Sequence, residues 1–250
     1  MTVADESTES NDDEGVERIL VVTAHPDDVD FGSAGSIATW TDAGIEVEYC
    51  IVTDGDAGGF DRDVPRHVMA ETRRAEQTAA AKVVGVTELH FLGYPDGRLE
   101  PTLGLRRDIS RVIRQVRPQR VIGQSPERSY ERIYASHPDH LAAGEATLCA
   151  VYPDARNPFA HPELLHDEGL EPWTAGEVWI GGAPTRPPDR FVDITDVFDR
   201  KVEALLCHVS QHPEPAALEG LLRGWSTMLA EAAGFPEGRL AEGYFRVATA

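Results

Sequence analysis

The sequence predicts an α/β fold, Rossmann-like in arrangement, with a largely parallel sheet and helices on both faces. Three observations lead there. Strand-like and helix-like stretches alternate along the chain, as they do when parallel strands are joined by helical crossovers. A short apolar run beginning at Ile19 breaks off abruptly into His25, Asp27 and Asp28, as a buried strand does when it ends at a sheet edge. Finally, 250 residues at 41% hydrophobic and 26% charged can bury one sizeable core.

The expected organisation is an acidic tail over 1–15 followed by a single domain over 16–250. The tail holds six acids and no Lys or Arg, with no apolar surface to offset the entropy of ordering, and is expected to be disordered. A formal charge of −20 and a pI near 4.7 set up a field that repels phosphate backbones and anionic membranes, so neither nucleic acid nor membrane is an expected partner. No signal segment or membrane-spanning run is present in the sequence, which suggests a cytoplasmic protein. Cys50, Cys149 and Cys207 are odd in number and widely spaced, and read as buried thiols, not as disulfides or metal ligands.

The first strand spans 18–23 and runs into Ala24-His25-Pro26-Asp27-Asp28, where proline holds the turn. Gly32 to Gly35 leads into a helix through Trp40, and 46–53 forms the second strand. The spacing of those glycines is not that of a dinucleotide loop. Asp54-Gly55-Asp56-Ala57-Gly58-Gly59 reads as a mobile turn at the same sheet edge. A helix over 68–84 sets Arg73 three positions before Glu76, the spacing of a weak surface ion pair. The third strand, 88–92, ends in the turn Gly93-Tyr94-Pro95-Asp96-Gly97.

A helix over 102–116 spreads Arg106, Arg107, Arg111 and Arg114 around a face read as solvated. Strand four, 120–123, opens a long loop, 125–135, carrying Arg128, Tyr130, Arg132 and Tyr134; long loops above a sheet edge commonly carry specificity. His137-Pro138-Asp139-His140 then enters a helix over 141–151, with proline suited to its first turn and the i, i+3 spacing turning both imidazoles to one side. Across 152–175 four prolines prevent long helices, and the segment reads as a wall or lid over the pocket. Strands over 177–181 and 190–193 and a helix over 196–211 complete the sheet region. The last forty residues read as helical and mixed.

Ligands in open α/β sheets gather beyond the carboxyl ends of the strands, which is where His25, Asp27 and Asp28 fall. Histidine and aspartate together suit Zn²⁺, which in catalytic sites takes three protein donors and keeps a position open. Helix capping is the alternative use of Asp27 or Asp28. A second His-Pro-Asp cluster more than a hundred positions on offers the missing donor.

The two motifs, Ala24-His25-Pro26-Asp27-Asp28 and His137-Pro138-Asp139-His140, resemble the signatures of the PIG-L/LmbE-like family of zinc-dependent N-acetylglucosamine deacetylases. Val192-Asp193-Ile194-Thr195, Lys201 and His208-Val209-Ser210-Gln211 extend the resemblance toward the C-terminus. It implies an LmbE-like fold and one Zn²⁺ per chain on His25, Asp28 and His140, although such donors do not decide between Zn²⁺ and Fe²⁺. Asp27 is then the general base. His137 stabilises the oxyanion or protonates the amine, and Asp139 orients His137.

Likeness to relatives further implies Arg73 and Asp96 as substrate contacts, the 54–59 loop beside the site, and Tyr134 as the neighbour of a tyrosine position that is Ala135 here. Val29 follows Asp28 where several relatives carry glutamate, and Asp30 comes one place later. The implied activity is hydrolysis of an N-acetyl group on a small-molecule amino sugar. The alternatives are an amidase on a larger glucosamine conjugate and a non-catalytic metal-binding protein. Relatives often assemble into closed homo-oligomers, which carries over as an expectation.

Overall fold

The computed structural model describes residues 12–212 and 215–249. The expected tail up to residue 11 lies outside the described residues. Residues 12–15 form a turn, and the Asp13 carboxylate lies 2.6 Å from the guanidinium of Arg120, which is fully buried. The folded body thus begins ahead of Val16.

Seven strands form one sheet among the described residues: β1 (Arg18–Thr23), β2 (Glu46–Thr53), β3 (Leu89–Tyr94), β4 (Arg120–Gln124), β5 (Glu177–Gly181), β6 (Arg190–Asp193) and β7 (Ala241–Ala248). Their order is β3-β2-β1-β4-β5-β7-β6. The first five in that order are parallel, and β7 runs antiparallel to both of its neighbours. The chain leaves β1 toward β2 and β3 on one side and returns to β4 on the other. The crevice beyond the carboxyl ends of β1 and β4 is therefore a topological switch point, the place where such sheets bind ligands.

Helices α1 (Asp28–Asp42), α2 (Arg66–Val83), α3 (Leu103–Val116), α4 (Pro138–Cys149), α5 (Pro162–His166), α6 (Phe198–Leu206) and α7 (Leu218–Ala232) cover both faces. Alternation along β1 divides the core: Leu20 and Val22 face Leu105, Ile109 and Ala146 of α3 and α4. Ile19 and Val21 face Ile37 and Trp40 of α1 and Ala80 of α2. Each buried Leu, Ile or Val among these contributes about 1.5–3 kcal/mol. A third cluster around Ile194, Phe198 and Leu222 seats α7 against α6.

Three expectations are corrected. The last residues are not helical throughout: after α7 the chain enters β7, which inserts between β5 and β6 and buries Glu242 and Tyr244. The arginine face of α3 is not simply solvated. Arg114 is buried and donates to the carbonyls of Asp154, Ala155, Asn157 and Ala160, while Arg106 grips the Asp154 carboxylate at 2.8 Å. The 152–175 segment is consequently strapped to the flank of α3, with Trp173 donating to Pro118, and is no lid over the switch point.

Cys50 is buried and Cys149 and Cys207 are half-buried, all as free thiols. Among the described residues no helix is long and apolar enough to cross a membrane.

Candidate metal centre

Beyond the end of β1 the chain turns through Pro26 and Asp27 and starts α1 at Asp28, so the first motif lies partly inside the helix, earlier than its glycines suggest. Asp27 adopts a left-handed backbone, φ 85, which costs a non-glycine residue about 1–3 kcal/mol. Neighbours hold it there. Its N–H donates to Gln77 Oε1 at 2.7 Å, and Arg73 donates to its carboxylate at 2.9 Å and to the Pro26 carbonyl.

The second motif arrives on α4, whose first turn faces β1 across the switch point. His25 Nδ1 and His140 Nε2 are 3.2 Å apart, and the Asp28 carboxylate spans them, Oδ1 3.0 Å from His140 Nε2 and Oδ2 3.3 Å from His25 Nδ1. A tetrahedral Zn²⁺ bonded at about 2.0–2.1 Å sets its donor atoms about 3.3 Å apart. The trio fits such an ion. Electrostatics agree: burial works against charge on His25, yet Asp139, Asp28 and Asp96 together push it up to about 12. Surroundings that hold a proton so firmly favour a cation. Burial would raise Asp28, but His140 and His25 hold it far below the usual carboxylate range.

His137 completes a second grouping with His25 and His140, but its Nδ1 already accepts the Asp139 N–H at 3.2 Å as the cap of α4. That bond leaves the proton of the neutral imidazole on Nε2. The ring is exposed, 4.9 Å from that of His25 and edge-on to it. Its pKa is lowered, chiefly by burial and then by the charge of His25. Burial lifts Asp27 to about 7 even though Arg73 pulls the other way.

Four expected roles are changed by the geometry. Asp139 is fully buried and sends its carboxylate to His25 Nε2 at 3.2 Å and to the N–H groups of Gly97 and Leu99, not to His137. Arg73 is only 4% exposed and is spent on Asp27, Pro26 and Gly55, so it braces Asp27 and does not face a substrate. Asp96 also turns inward: its carboxylate lies 3.2 Å from His25 Nε2 and accepts the N–H of Ala57. Tyr134 is 74% exposed and accepts from Arg132, away from the centre. The 54–59 loop does reach the site. A Cβ on Gly55 or Gly58 would strike Arg73 within 3 Å, so glycine lets the loop close over that guanidinium.

Sequence reasoning missed Gln77 and the use of Asp30. Asp30 is fully buried and accepts from Gln77 at 2.9 Å, with His208 2.8 Å away. Gln77 thus ties Asp30 to the backbone of Asp27. The signal was the acid one place after the first motif, together with the His208 to Gln211 run.

Residues 20–151 match the family model described as PIG-L: GlcNAc-PI de-N-acetylase. The chain is 37% identical over 199 residues to diacetylchitobiose deacetylase of Thermococcus kodakarensis, covering 80% of this chain and 72% of that protein. It is 32% identical over 198 residues to a probable N-acetyl-alpha-D-glucosaminyl L-malate deacetylase 2 of Bacillus cereus, covering 77% of this chain and 83% of that protein. Among solved structures, the N,N'-diacetylchitobiose deacetylase of Pyrococcus horikoshii superposes with a TM-score of 0.86 at 30% identity, covering 96% of this chain and 86% of that one.

Proposed function

The chain belongs to the PIG-L family, and from that premise and the geometry around His25 we propose that it is a metal-dependent amide hydrolase removing the N-acetyl group from an N-acetylglucosamine-type amino sugar or its conjugate. One observation carries the reading. Donors from motifs 115 positions apart, His25 and His140, meet at 3.2 Å with Asp28 beside them, while Asp27 and His137 flank the trio.

In this reading His25, Asp28 and His140 hold Zn²⁺, with Fe²⁺ accepted by the same donors. When bound, the ion lowers the pKa of a water and polarises a carbonyl oxygen. Asp27 takes the water's proton, a task suited to a carboxyl group lifted to about 7 and oriented by Arg73. His137 presents its Nε2 N–H to the carbonyl oxygen as charge develops there, and to the departing amine. Asp139 keeps the Nε2 proton of His25 on the far side of the ring, leaving Nδ1 for the ion. The water oxygen bonds to the carbonyl carbon, the C–N bond breaks, and the proton taken by Asp27 ends on the amine. Products are acetate and the free amino sugar.

The base and the N–H donor support an enzyme over a binding protein, because holding an ion requires neither. A formal charge of −20 supports a small-molecule substrate over nucleic acid, and three free thiols accord with a cytoplasmic setting. Asp27→Asn tests the proposal: metal content should stay near that of the parent while amine release from N-acetylglucosamine, diacetylchitobiose or malate- and inositol-linked glucosaminides drops about 10²–10⁴-fold. Undiminished turnover in that variant would overturn the assignment of the base.

A further inference from the structure

A chamber of about 580 Å³ adjoins the metal centre and plays no part in the mechanism above. It lies between α1 and α7 over the carboxyl ends of β1, β4 and β5 and the amino end of the antiparallel β7. Asp28 and His140 are among its lining residues, whereas Asp27, His137 and Arg73 are not. One wall is apolar: Phe31 on α1 faces Leu222, Trp225, Met228 and Leu229 on α7, with Phe31 and Trp225 rings 6.4 Å apart. Gly32, Gly181 and Gly182 border it, and a Cβ built on any of them would meet nothing within 4 Å.

The deeply buried charge of the chamber is paired, while half-buried Glu127, held by Arg186, and exposed Arg132 also stand in its lining. Lys201 and Glu242 are both buried and paired at 2.5 Å, and Glu242 also accepts from Gly35 and Ser36. Of the side chains lining it, Thr23 alone among the described residues carries a buried polar atom without a hydrogen-bond partner. An elongated aliphatic group matches the wall built by Phe31 and α7.

We propose that the chamber is an acyl-binding subsite, so that the enzyme hydrolyses amino sugars whose nitrogen carries a medium-chain aliphatic acyl group as well as acetyl; this rests on the amide-hydrolase reading above. Two facts select acyl over sugar. The amine must sit beside His137 and Asp27 to receive its proton, which leaves the opposite side, the chamber side, for the substituent on the carbonyl carbon. An acetyl methyl group, close to a water molecule's share of about 30 Å³, fills little of the space. The step keeps its balance for any chain length: the water oxygen bonds to the acyl carbon, the C–N bond breaks, the amine takes the proton, and an alkanoate leaves.

The test compares N-acetyl-, N-butanoyl-, N-hexanoyl- and N-octanoylglucosamine with metal-loaded protein, scored by free amine. kcat/KM should rise about threefold per methylene up to hexanoyl. In Gly32→Leu, a change that suits a helix better than glycine does, the octanoyl-to-acetyl ratio should fall at least about tenfold. Octanoate titrated calorimetrically into the metal-free protein supplies a readout apart from turnover, and its affinity should fall in the same variant. Efficiency that declines steadily with chain length, with octanoate binding equal in parent and variant, overturns the subsite. No amine from any substrate would instead defeat the amide-hydrolase reading, and octanoate binding would then decide the chamber alone.

Discussion

Asp139 Oδ2 stands 3.2 Å from Nε2 of His25, a residue 114 positions away, while the His137 ring two places earlier points elsewhere. Helical geometry explains this, because residues i and i+2 do not share a face. The N–H groups of Gly97 and Leu99 lock the carboxylate at 2.7 and 3.1 Å, so it can steer the imidazole it touches. Carboxylates behind a ligating histidine typically change metal affinity 10- to 100-fold. Asp139→Asn should weaken metal binding by about that factor in a chelator competition. His137→Ala should leave the affinity within about twofold, since it removes no proposed ligand. The reverse ranking would return Asp139 to His137.

Arg73 separates a bracing role from a substrate contact. Its guanidinium is buried and engages Asp27 at 2.9 Å, where the resemblance implies a hand on the sugar. A shorter reach misplaces Asp27, the proposed base, without altering the pocket, and displacements near 1 Å can cost about hundredfold. Arg73→Lys should therefore lower kcat by about that factor, with KM within about twofold of the parent. A raised KM with kcat preserved would make Arg73 a substrate contact after all.

What the sequence made legible follows from locality. His25, Asp28 and His140 sit in short motifs with proline-fixed turns, and an apolar strand leading into charge marks a sheet edge whatever the rest of the chain does. Arg73, Asp96 and Asp139 are as visible as residue types, but their partners depend on which loops close on which helices. The closure over Gly55 and the turn at Gly97 decide that, and neither is encoded nearby. β7 escaped notice because Gly243 and Arg246 dilute a short alternation whose partners, β5 and β6, lie at least 48 residues earlier in the sequence. The arginines of α3 looked like a solvated face because a buried guanidinium binding carbonyls has the same helical spacing as an exposed one.

His208 gives the C-terminal motif a physical reason. Its Nε2 lies 2.8 Å from Asp30, both are fully buried, and Gln77 links that carboxylate to the Asp27 backbone. His208→Leu would leave Asp30 buried with Gln77 as its remaining side-chain partner, a loss of about 3–5 kcal/mol for a broken buried pair. Denaturant unfolding of the metal-free protein measures it. His208→Gln, which keeps a donor, should recover part of the loss; a leucine variant within about 1 kcal/mol of the parent would show that the pair does not hold α1 to the segment after α6.

The pair Arg120 and Glu177 predicts how stability responds to acid. Arg120 is fully buried, stacks 3.7 Å from the centre of the Trp179 ring, and bonds Glu177 at 2.7 Å and Asp13 at 2.6 Å. Burial pushes the Glu177 carboxyl up, but Arg120 and Arg246 prevail and hold it below its ordinary 4.5. A carboxyl group whose pKa is depressed by folding contributes stability that is fully present above the unfolded value and is lost as pH falls through the folded one. The melting temperature should therefore hold above about pH 4.5 and drop below it. Glu177→Gln removes the titrating group, so it should melt lower than the parent near neutral pH and lose less on acidification. Calorimetric scans of both proteins across that range check this, and parallel curves would mean that Glu177 carries none of the acid sensitivity.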